Sequence, residues 1–563
     1  MTIEDVLATY ATRCPMKPAQ HQVLGTSFIA TLRDLDRGRV WPGCLMLGDE
    51  MAVGKTKQAI DGAQVLAAAG EIDTAIVLAP APVRSGVWYH PELGQMRRHL
   101  WPDLPSTVVE YHGGTLRSWR HQTKPQFTWF ITNYEYLANS ARLDGLIDLV
   151  KKRSQKPPML VLDESSLVKN WQAARTRAAM TLRALARNVV LMNGTPISES
   201  PADMYSQGLI MDPRILDCKN WWNYRGRYAV LGGFQAKAIV GWKHAYRKLS
   251  PDTGRPCCDR PIKALIHSWD GLGDIQRRFQ PYVLRRLLKD CWDLPPALEP
   301  TTAMIPLSKD SWRIYKEMRD DMLSYLGTQD QSATVSRHGG TKVQRLAQIC
   351  SGFAGGIEVQ VPCDCEHGSE CLNCGGSGYT IEVKDPKPIG SEKLDYLTSM
   401  IEDLLHQEPS KKILAWCRFR PELERTVLHL RKQFPKAIVV GLYGGQTKTE
   451  RAKVLALLDP RTTPQYEPVI VVGTESTGAL GLDLTAAHIA IYISHGTKLG
   501  DRLQSMARIH RPGQTHPVSY TDFVATGPDG QKTVNHAVLA ALRRKDDVAS
   551  WTAGAWVHAL TEE

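Results

Sequence analysis

The chain has 563 residues, which is too long for a single hydrophobic core and predicts three or four structural units. Its hydrophobic share of 43% and charged share of 23% are ordinary for a globular protein, and no apolar run approaches the ~18 residues of a membrane span. The net charge of +11 is compatible with a polyanionic partner. Many basic proteins bind no nucleic acid, so charge alone does not identify the partner.

The first two hundred residues alternate short apolar runs with helical stretches. The sequence predicts strands at Cys44–Leu47, Thr74–Leu78, Thr107–Tyr111, Phe127–Ile131, Met159–Leu162 and Asn188–Met192. Such alternation predicts a mostly parallel, doubly wound sheet. Ligands of these sheets bind where the carboxyl ends of the strands meet.

The first motif is LMLGDEMAVGKT at residues 45–56, an apolar run followed by Gly54-Lys55-Thr56 and a helical pattern. A strand, a loop and a helix amino terminus in this order form an anion site. Lys55 can then reach the β- and γ-phosphates of a nucleotide, and the Thr56 hydroxyl can ligate magnesium. The loop departs from G-x-x-x-x-G-K-T because its first position is Asp49.

The second motif is VLDESS at residues 161–166, an apolar strand that ends in two carboxylates. We expect Asp163 to hold the magnesium and Glu164 to orient and deprotonate the attacking water. An acidic pair can also be an ordinary exposed strand end. Because both motifs occur in this order on one chain, the sequence predicts a nucleoside triphosphatase that uses ATP or a close relative.

Twelve cysteines are unevenly spread, and four of them form a compact cluster. The cluster consists of Cys363, Cys365, Cys371 and Cys374. Thiolates at this spacing predict a closed, structural, tetrahedral zinc site. The C-x-x-C-G-G-S-G part resembles half of the zinc-binding repeat of Hsp40-type chaperones. His367 could replace Cys365, since C-x-C is a tight bite for one metal, and free cysteines in a flexible loop are the alternative.

From about residue 212 to residue 300 the sequence is rich in Trp and Arg, and regular alternation resumes at Lys411. The sequence predicts a second set of strands at Ile413–Trp416, Ala437–Gly441, Val469–Val472, His488–Ile493 and Val518–Phe523. In the Trp-rich region, Trp221, Trp222 and Trp242 lie among basic residues. They could face DNA, but aromatic residues among helices are more often core, which is the interpretation favoured here.

Further motifs occur in one order along the chain. They are Lys17-Pro18-Ala19-Gln20, Leu78-Ala79-Pro80, Ile131-Thr132-Asn133-Tyr134-Glu135, Asn193-Gly194-Thr195-Pro196, Pro281-Tyr282-Val283-Leu284-Arg285-Arg286 with Lys289-Asp290 and Leu294-Pro295, Ser391-Glu392-Lys393-Leu394, Leu442-Tyr443-Gly444-Gly445, residues 478–484 and residues 504–514. Together they resemble, nearly end to end, the Swi/Snf-type DNA-translocating ATPases of the superfamily-two helicases. The arginine-rich segment at 281–286 is similar to a signature of that branch.

The resemblance implies roles for these motifs. The side chain of Gln20 would read the adenine edge, and the loops at 78–80 and 131–135 would touch the nucleic-acid backbone. Residues 193–196 would link hydrolysis to movement. The nucleotide-binding set implied is Gln20, Asp49, Glu50, Met51, Ala52, Val53, Gly54, Lys55, Thr56, Gly481 and Asp483.

Two arginines of the last motif, Arg508 and Arg511, lie three residues apart, so on a helix they would share one face. The motif lies in the second set of predicted strands, which would form a second lobe. When that lobe closes on the first, the guanidinium groups would neutralise charge on the γ-phosphate. The alternative is a solvated helix face. The catalytic set predicted is therefore Lys55, Asp163, Glu164, Arg508 and Arg511.

Two positions depart from the family pattern. Ala52 stands where glycine is usual, and a left-handed backbone there would cost ~1 kcal/mol or more. Ser165-Ser166 replaces the commoner Ala-His, and the Ser166 hydroxyl could bond toward Thr195 or Gln20. Neither change removes a ligand or the base, so an active enzyme is still expected.

The resemblance implies an α/β fold of two RecA-like, doubly wound parallel-sheet lobes with helical insertions and a small zinc hairpin. The expected domains are a first lobe at 1–211, a helical insertion at 212–300, a helical region at 301–390 with the zinc hairpin at 361–380, a second lobe at 391–528 and a helical tail at 529–563. The expected cofactors are ATP, magnesium and structural zinc.

The function implied is an ATP-dependent translocase on double-stranded DNA that forms ADP and phosphate while remodelling DNA or displacing bound proteins. A strand-separating helicase on forked or branched DNA or hybrids, and a nucleotide-gated DNA-binding scaffold, are the alternatives. We expect a monomer without a membrane partner, with a DNA-bound protein as a further candidate substrate. The compact chain, with no secretory signal at its amino terminus, is expected in the cytoplasm of a bacterium or of an infected cell.

Overall fold

The computed structural model describes residues 2–31, 43–90, 94–112, 115–120, 125–194, 201–231, 266–328, 335–354, 357–362, 379–384, 386–460, 462–478 and 484–544. The chain forms two compact units, with the boundary between Trp292 and Asp293. Each unit is built on its own parallel sheet.

The first unit contains ten described strands. They are β1 (Cys44–Leu47), β2 (Thr74–Ala79), β3 (Ser106–His112), β4 (Thr115–Arg120), β5 (Phe127–Asn133), β6 (Met159–Asp163), β7 (Asn188–Met192), β8 (Ala229–Leu231), β9 (Ile266–Trp269) and β10 (Val283–Leu284). Eight of them form one sheet in the order β10-β1-β7-β6-β2-β5-β3-β4, parallel except for β4, and β8 pairs with β9 separately.

Both faces of the first sheet are buried. Met46 of β1 and Leu160 of β6 belong to one apolar core, whereas Leu45 and Val161 belong to the other. A parallel strand covered on both faces is apolar at every position, which is why these strands are visible in the sequence as continuous apolar runs.

Helices and shorter helical turns cover these two faces. The α-helices are Ile3–Arg13, Gln20–Thr31, Lys55–Ala68, Ala81–Val83, Gln95–His99, Ser140–Arg153, Ala174–Leu185, Asp203–Met211, Pro213–Leu216, Trp221–Tyr228, Leu272–Phe279 and Leu288–Cys291. A π-helical turn spans Arg84–Trp88, and 3₁₀ turns span Tyr136–Ala138, Ser165–Val168 and Gln280–Tyr282.

The second unit also contains ten described strands. They are β11 (Thr301–Pro306), β12 (Phe353–Ala354), β13 (Ile357–Pro362), β14 (Tyr379–Lys384), β15 (Lys387–Pro388), β16 (Lys412–Cys417), β17 (Ile438–Leu442), β18 (Val469–Thr474), β19 (Ile489–Tyr492) and β20 (Ser519–Thr526). Six of them form a fully parallel sheet in the order β11-β20-β19-β16-β18-β17. The pairs β12–β15 and β13–β14 are antiparallel.

The helices of the second unit pack around this sheet and the smaller strand pairs. They are Lys309–Thr328, Val335–Cys350, Glu392–Gln407, Arg420–Gln433, Lys448–Ala456, Glu475–Gly478, Leu499–Met506 and residues 534–544. Among the described residues, no helix has both the length and the apolar character that crossing a bilayer demands.

The predicted fold class, α/β with two parallel sheets, is confirmed. Several strands lie within 212–300 and 301–390, where helical sequence was expected, and two of them belong to the large sheets. Residues 283–284 form β10, the outer neighbour of the phosphate-loop strand β1, and residues 301–306 form β11 at the edge of the second sheet. Both are edge strands, and edge strands lack the continuous apolar run that marks a central one.

Candidate nucleotide-binding and catalytic site

The phosphate loop, residues 48–54, connects β1 to the helix that begins at Lys55. Gly54 caps this helix with φ of 99°, a left-handed conformation that glycine adopts without strain. The Lys55 ammonium donates to the carbonyls of Asp49 and Glu50 at 2.6 and 2.9 Å. The helix amino terminus and this lysine together provide a positive site at the end of β1.

The acidic pair lies at the end of β6. Because β7 pairs in parallel with both β1 and β6, the acids and the lysine lie at the same edge of the sheet. Burial lowers the pKa of Lys55, and the nearby charges of Asp49, Glu164 and Asp163 oppose that shift. The structure thus brings together the lysine and both acids that the sequence assigned to the reaction. All of them belong to the first unit.

Two residues of this site have a left-handed backbone although they are not glycine. Ala52 has φ of 66°, so the strain anticipated for a left-handed alanine is present, at roughly 1 kcal/mol. Glu164, directly after β6, has φ of 54° and ψ of 56°. Strained backbone of this kind occurs at functional sites, where the surrounding structure enforces it.

Asp49, the residue that departs from the usual glycine, is fully buried and paired. Its Oδ1 accepts from the Nε of Arg286 at 3.0 Å, and its Oδ2 accepts from the side-chain amide of Gln58 at 3.2 Å. Arg286 also donates to the side-chain carbonyl of Gln58 at 2.7 Å. An ion pair therefore shapes the start of this loop, where other phosphate loops use glycine.

The arginine-rich segment at 281–286 fastens the same loop through its backbone. The N–H of Gly48 donates to the carbonyl of Leu284 at 2.8 Å, and the N–H of Glu50 donates to the carbonyl of Arg286 at 2.9 Å. Arg285 donates to the carbonyls of Gly48 and Gly194 at 2.6 and 3.0 Å. The segment that resembles a family signature is therefore in direct contact with the phosphate loop.

The glutamine at the phosphate loop is Gln22 rather than Gln20. Gln20 is exposed at the start of its helix, whereas Gln22 is buried, and a Cβ on Gly54 would lie 2.4 Å from its Nε2. The Gln22 side chain also accepts from the N–H of Ala19 at 3.1 Å. The sequence prediction named Gln20 alone. The signal for Gln22 is the helical period, because positions 22, 25 and 29 share the buried face.

Ser166 makes a different contact from the one expected. Its hydroxyl donates to Oε1 of Glu164 at 3.2 Å, whereas the sequence suggested a bond toward Thr195 or Gln20. Thr195 and Pro196 lie outside the described residues. The neighbouring Ser165 is buried and donates to the side-chain carbonyl of Gln207 at 2.7 Å.

The oxygen atoms available for a divalent cation are the Thr56 hydroxyl, in the first turn of its helix, and the Asp163 carboxylate. The described residues contain no group of three His, Cys, Asp or Glu side chains able to hold a metal by themselves. Magnesium is ordinarily held by one or two protein oxygens together with substrate phosphates. The residues present therefore fit magnesium that arrives with a nucleotide.

The second unit presents Arg508 and Arg511 on a turn. The helix Leu499–Met506 ends before both of them, so the expectation that they share one helical face is wrong. Gln514 folds the turn: its side-chain amide donates to the carbonyls of Thr485, Ala487 and Ile509 at 3.2, 2.9 and 2.9 Å. A spacing of three residues is the same on a helix and on a turn, so the sequence alone does not distinguish the two.

A buried group of charges lies in the second unit near this turn. Arg502 pairs with Asp522 at 2.8 Å, and its guanidinium lies 3.3 Å from the ring centroid of Tyr492. Glu475 accepts from the N–H of Gly496 at 2.7 Å, and burial raises the pKa of Glu475 to about 7. These groups were not assigned from the sequence.

The tryptophans of the helix Trp221–Tyr228 separate into two environments. Trp221 packs against the apolar core that contains Met46 and Leu160. Its ring stacks with that of Trp171 at a centroid distance of 6.5 Å, which agrees with the expected core position. Trp222 is 63% exposed with Arg225 over its ring at 5.5 Å, so the core prediction is wrong for Trp222. Trp242 lies outside the described residues.

Several predicted site residues also lie outside the described residues. They are Gly481, Asp483, Cys363, Cys365, His367, Cys371 and Cys374. The strands on either side of the cysteine cluster are described: β13 and β14 pair so that Pro362 lies opposite Tyr379.

Comparison with protein families gives two matches: the first covers most of the first unit and continues past the boundary at Asp293, and the second lies within the second unit. Residues 21–352 match the SNF2-related domain, which is more than half of the 563 residues, and residues 392–513 match the helicase conserved C-terminal domain. These matches confirm the predicted resemblance and the predicted enzyme class, a helicase-like ATPase of the Swi/Snf type.

The individual relatives are distant and longer than this chain. YwqA of Bacillus subtilis, named as an ATP-dependent helicase/translocase, is 24% identical over 91% of this chain and 46% of its own length. The TATA-binding protein-associated factor MOT1 of Saccharomyces cerevisiae is 22% identical over 90% of this chain and 26% of its own length. The chain thus spans less than half the length of these curated relatives.

A solved structure, the SWI2/SNF2 ATPase core of Sulfolobus solfataricus in complex with double-stranded DNA, aligns with 98% of this chain and 97% of its own. The sequence identity is 17% and the TM-score is 0.37. The family assignment therefore depends on the two domain matches.

Proposed function

Because the chain belongs to the SNF2-related family and is thus a helicase-like ATPase, we propose that it hydrolyses ATP to translocate along double-stranded DNA. The observation that carries the proposal is the position of Lys55, Asp163 and Glu164 at the carboxyl edge of the first sheet, where the parallel strands β1 and β6 end on either side of β7. This arrangement supplies a phosphate-binding cation, a metal-binding acid and a base in one place.

Each residue has a role that follows from its chemistry. Lys55 and the amino-terminal N–H groups of its helix bind the β- and γ-phosphates. Glu164, held in its left-handed backbone, accepts the proton of the attacking water. Magnesium held by Thr56 and Asp163 would supply charge neutralisation on the phosphates. Gln22, on the buried face of its helix next to Gly54, replaces Gln20 as the proposed reader of the adenine edge.

The second unit acts through Arg508 and Arg511, which stabilise charge that develops on the γ-phosphate in the transition state. Their turn is folded by Gln514, whose three hydrogen bonds hold its backbone in one shape. Arg511→Ala should therefore reduce turnover by roughly 10³-fold while ATP affinity and duplex affinity change little. A large loss of duplex binding with normal turnover at saturating DNA would make these arginines DNA contacts instead.

Double-stranded DNA is the proposed partner, and a DNA-bound protein is the proposed object of displacement. The support is the family, the net charge of +11 and basic residues that occur throughout both units. The deciding experiment measures ATP turnover without nucleic acid and with single-stranded DNA, duplex DNA and RNA. Stimulation by duplex DNA is expected, and equal rates in all four conditions would refute the proposal.

A strand-separating helicase is the second enzymatic candidate, and a nucleotide-gated scaffold is the third. A displacement assay on a forked duplex tests the helicase, since a translocase that leaves strands paired releases no single strand. Negligible turnover under every condition, with nucleotide-dependent DNA binding, would favour the scaffold. The complete set of Lys55, Asp163 and Glu164 supports the translocase over the scaffold.

Structural zinc at the cysteine cluster is also proposed. Its support is the thiol spacing and the pairing of β13 with β14, which brings the two ends of the segment side by side. Elemental analysis of protein purified without added metal should find about one zinc per chain, as four thiolates bind one ion. Cys374→Ser should lower that content without impairing ATP binding.

A further inference from the structure

Trp88 makes a direct hydrogen bond to the carboxylate of Asp163. Its indole Nε1 donates to Oδ2 of Asp163 at 2.7 Å, and its ring is fully buried. A neutral donor at this distance from a charged acceptor forms one of the stronger hydrogen bonds found in proteins. The contact joins residues 75 positions apart in the sequence.

The backbone around Trp88 is unusual. Trp88 ends the π-helical turn Arg84–Trp88, and the N–H of Tyr89 closes this turn on the carbonyl of Arg84 at 2.9 Å. Arg84 is buried and pairs with Glu110 of β3 at 3.3 Å, so the start of the turn is fixed to the sheet. Single π-turns are rare and occur frequently at functional sites.

Tyr134 holds the main chain of the same residue. Its hydroxyl donates to the carbonyl oxygen of Asp163 at 2.7 Å. Tyr134 is 1% exposed and packs in the same apolar core as Leu160 and Leu162 of β6, so the hydroxyl is held in place beside Asp163.

Asp163 is thus held at two points by segments that follow β2 and β5 in the chain. Donation to Oδ2 sets the plane of the carboxylate, and a carboxylate has about four acceptor sites, so capacity for a cation remains. Hydrogen bonds to a ligating carboxylate orient it and are typically worth 10–100-fold in metal affinity.

We propose that Trp88 and Tyr134 are positioning residues for the metal-binding carboxylate of Asp163. Trp88 acts on the side chain and Tyr134 on the main chain. The proposal depends on the proposed ATPase function, because it concerns the acid that holds magnesium there. It gives a functional role to two buried aromatic residues that would otherwise be interpreted only as part of the hydrophobic core.

The test replaces the indole by a ring without the N–H. Trp88→Phe removes the hydrogen bond, and Trp129→Phe is the matched control: Trp129 of β5 is also fully buried, but its Nε1 has no hydrogen-bond partner in the described structure. Magnesium is titrated while binding of a fluorescent ATP analogue is followed, and the analogue is also titrated in EDTA.

Trp88→Phe should raise the magnesium concentration for half-maximal binding by roughly 10–100-fold, with nucleotide affinity in EDTA unchanged. Trp129→Phe should leave both quantities unchanged. Equal magnesium dependence in Trp88→Phe and wild type, or an equal shift in the control, would overturn the proposal. Failure of the wild type to bind magnesium-nucleotide would instead refute the proposed function.

Tyr134→Phe keeps the test decisive should Trp88→Phe not fold, which thermal unfolding would reveal. This variant retains the ring and loses only the bond to the Asp163 carbonyl. It should also raise the magnesium requirement, by a smaller factor since the carboxylate bond to Trp88 is retained. An unchanged requirement in Tyr134→Phe would remove Tyr134 from the proposal and, with Trp88→Phe unfolded, would overturn it.

Discussion

In the first unit the three charged side chains assigned to the reaction are partly exposed, whereas in the second unit Arg502 and Asp522 are buried and paired with each other. Lys55, Asp163 and Glu164 all retain some accessibility. Arg502 and Asp522 are at most 6% exposed and form an ion pair at 2.8 Å. Two parallel sheets of similar construction therefore use charge for different ends.

The difference follows from what desolvation costs. A buried ion pair gains little net stability, but removal of one partner leaves an uncompensated buried charge. Partly exposed charges at a strand edge remain available to a ligand. We therefore expect substitutions in the first set to impair reaction and substitutions in the second set to impair folding.

Glu164→Gln gives the largest effect expected on the first side of this contrast. The amide cannot accept the proton of the attacking water, so turnover should fall about 10²–10⁴-fold, while ATP affinity and the free energy of unfolding change little. Phosphate release and nucleotide binding measure the two quantities. Glu402→Gln, at an exposed helical position, is the control, and near-normal turnover in Glu164→Gln would contradict the assignment.

Asp522→Asn tests the buried ion pair of the second unit. It leaves Arg502 buried without its counter-charge, so the second unit should lose about 3–5 kcal/mol of unfolding free energy. Urea unfolding gives the loss, and peptide-level hydrogen exchange assigns it to the second unit. Exposed Asp529→Asn is the matched control. Unchanged stability would mean that the buried pair is replaceable, and the contrast between the units would fail.

Glu475, also buried in the second unit, should make the unfolding free energy of that unit depend on pH. Burial raises its folded pKa to about 7, with Arg502 opposing and Asp501 and Asp522 reinforcing the rise, from an ordinary value of 4.5. The fold therefore favours the neutral carboxyl: its contribution is complete below pH 4.5 and is lost as the pH rises through 7.

Glu475→Gln replaces the titrating carboxyl by an amide that stays neutral at every pH. The unfolding free energy of the wild type should therefore fall relative to that of the variant by about 3 kcal/mol between pH 4.5 and 8. Urea unfolding of both proteins across that range measures the difference. Parallel stability curves would show that Glu475 is ionised in the fold.

Ala52→Gly has the smallest expected effect. Glycine relieves the left-handed strain at φ of 66° but adds freedom to the unfolded chain. The first unit should gain up to about 1 kcal/mol. Thermal unfolding with and without nucleotide measures the change, and a loss of stability would show that the methyl group packs usefully in the phosphate loop.

The central strands could be predicted to within one or two residues because both faces are buried. β1 and β7 match their predicted bounds, and β6 extends one residue further, to Asp163. The phosphate loop and acidic pair could be predicted because their chemistry requires particular residues at short spacing. The central strands and the candidate site at 48–56 and 163–164 thus depend on local sequence.

What could not be predicted depends on long-range or rotational detail. β10 has two residues and becomes a strand only by pairing with β1, far earlier in the chain. Gln22 and Gln20 differ only in the helix face they occupy. The turn at Arg508 and Arg511 depends on a side chain, that of Gln514, that bonds to three separate backbone carbonyls.

The contacts between the phosphate loop and residues 281–286 also determine an order of events during synthesis. Asp49 and Arg286 are 237 positions apart, so β1 remains an open sheet edge while all of the residues between them are made. Open edges are sites of mispairing, and closing so long a loop slows folding. The ribosome must therefore deliver nearly the whole first unit before its nucleotide loop can reach its final shape.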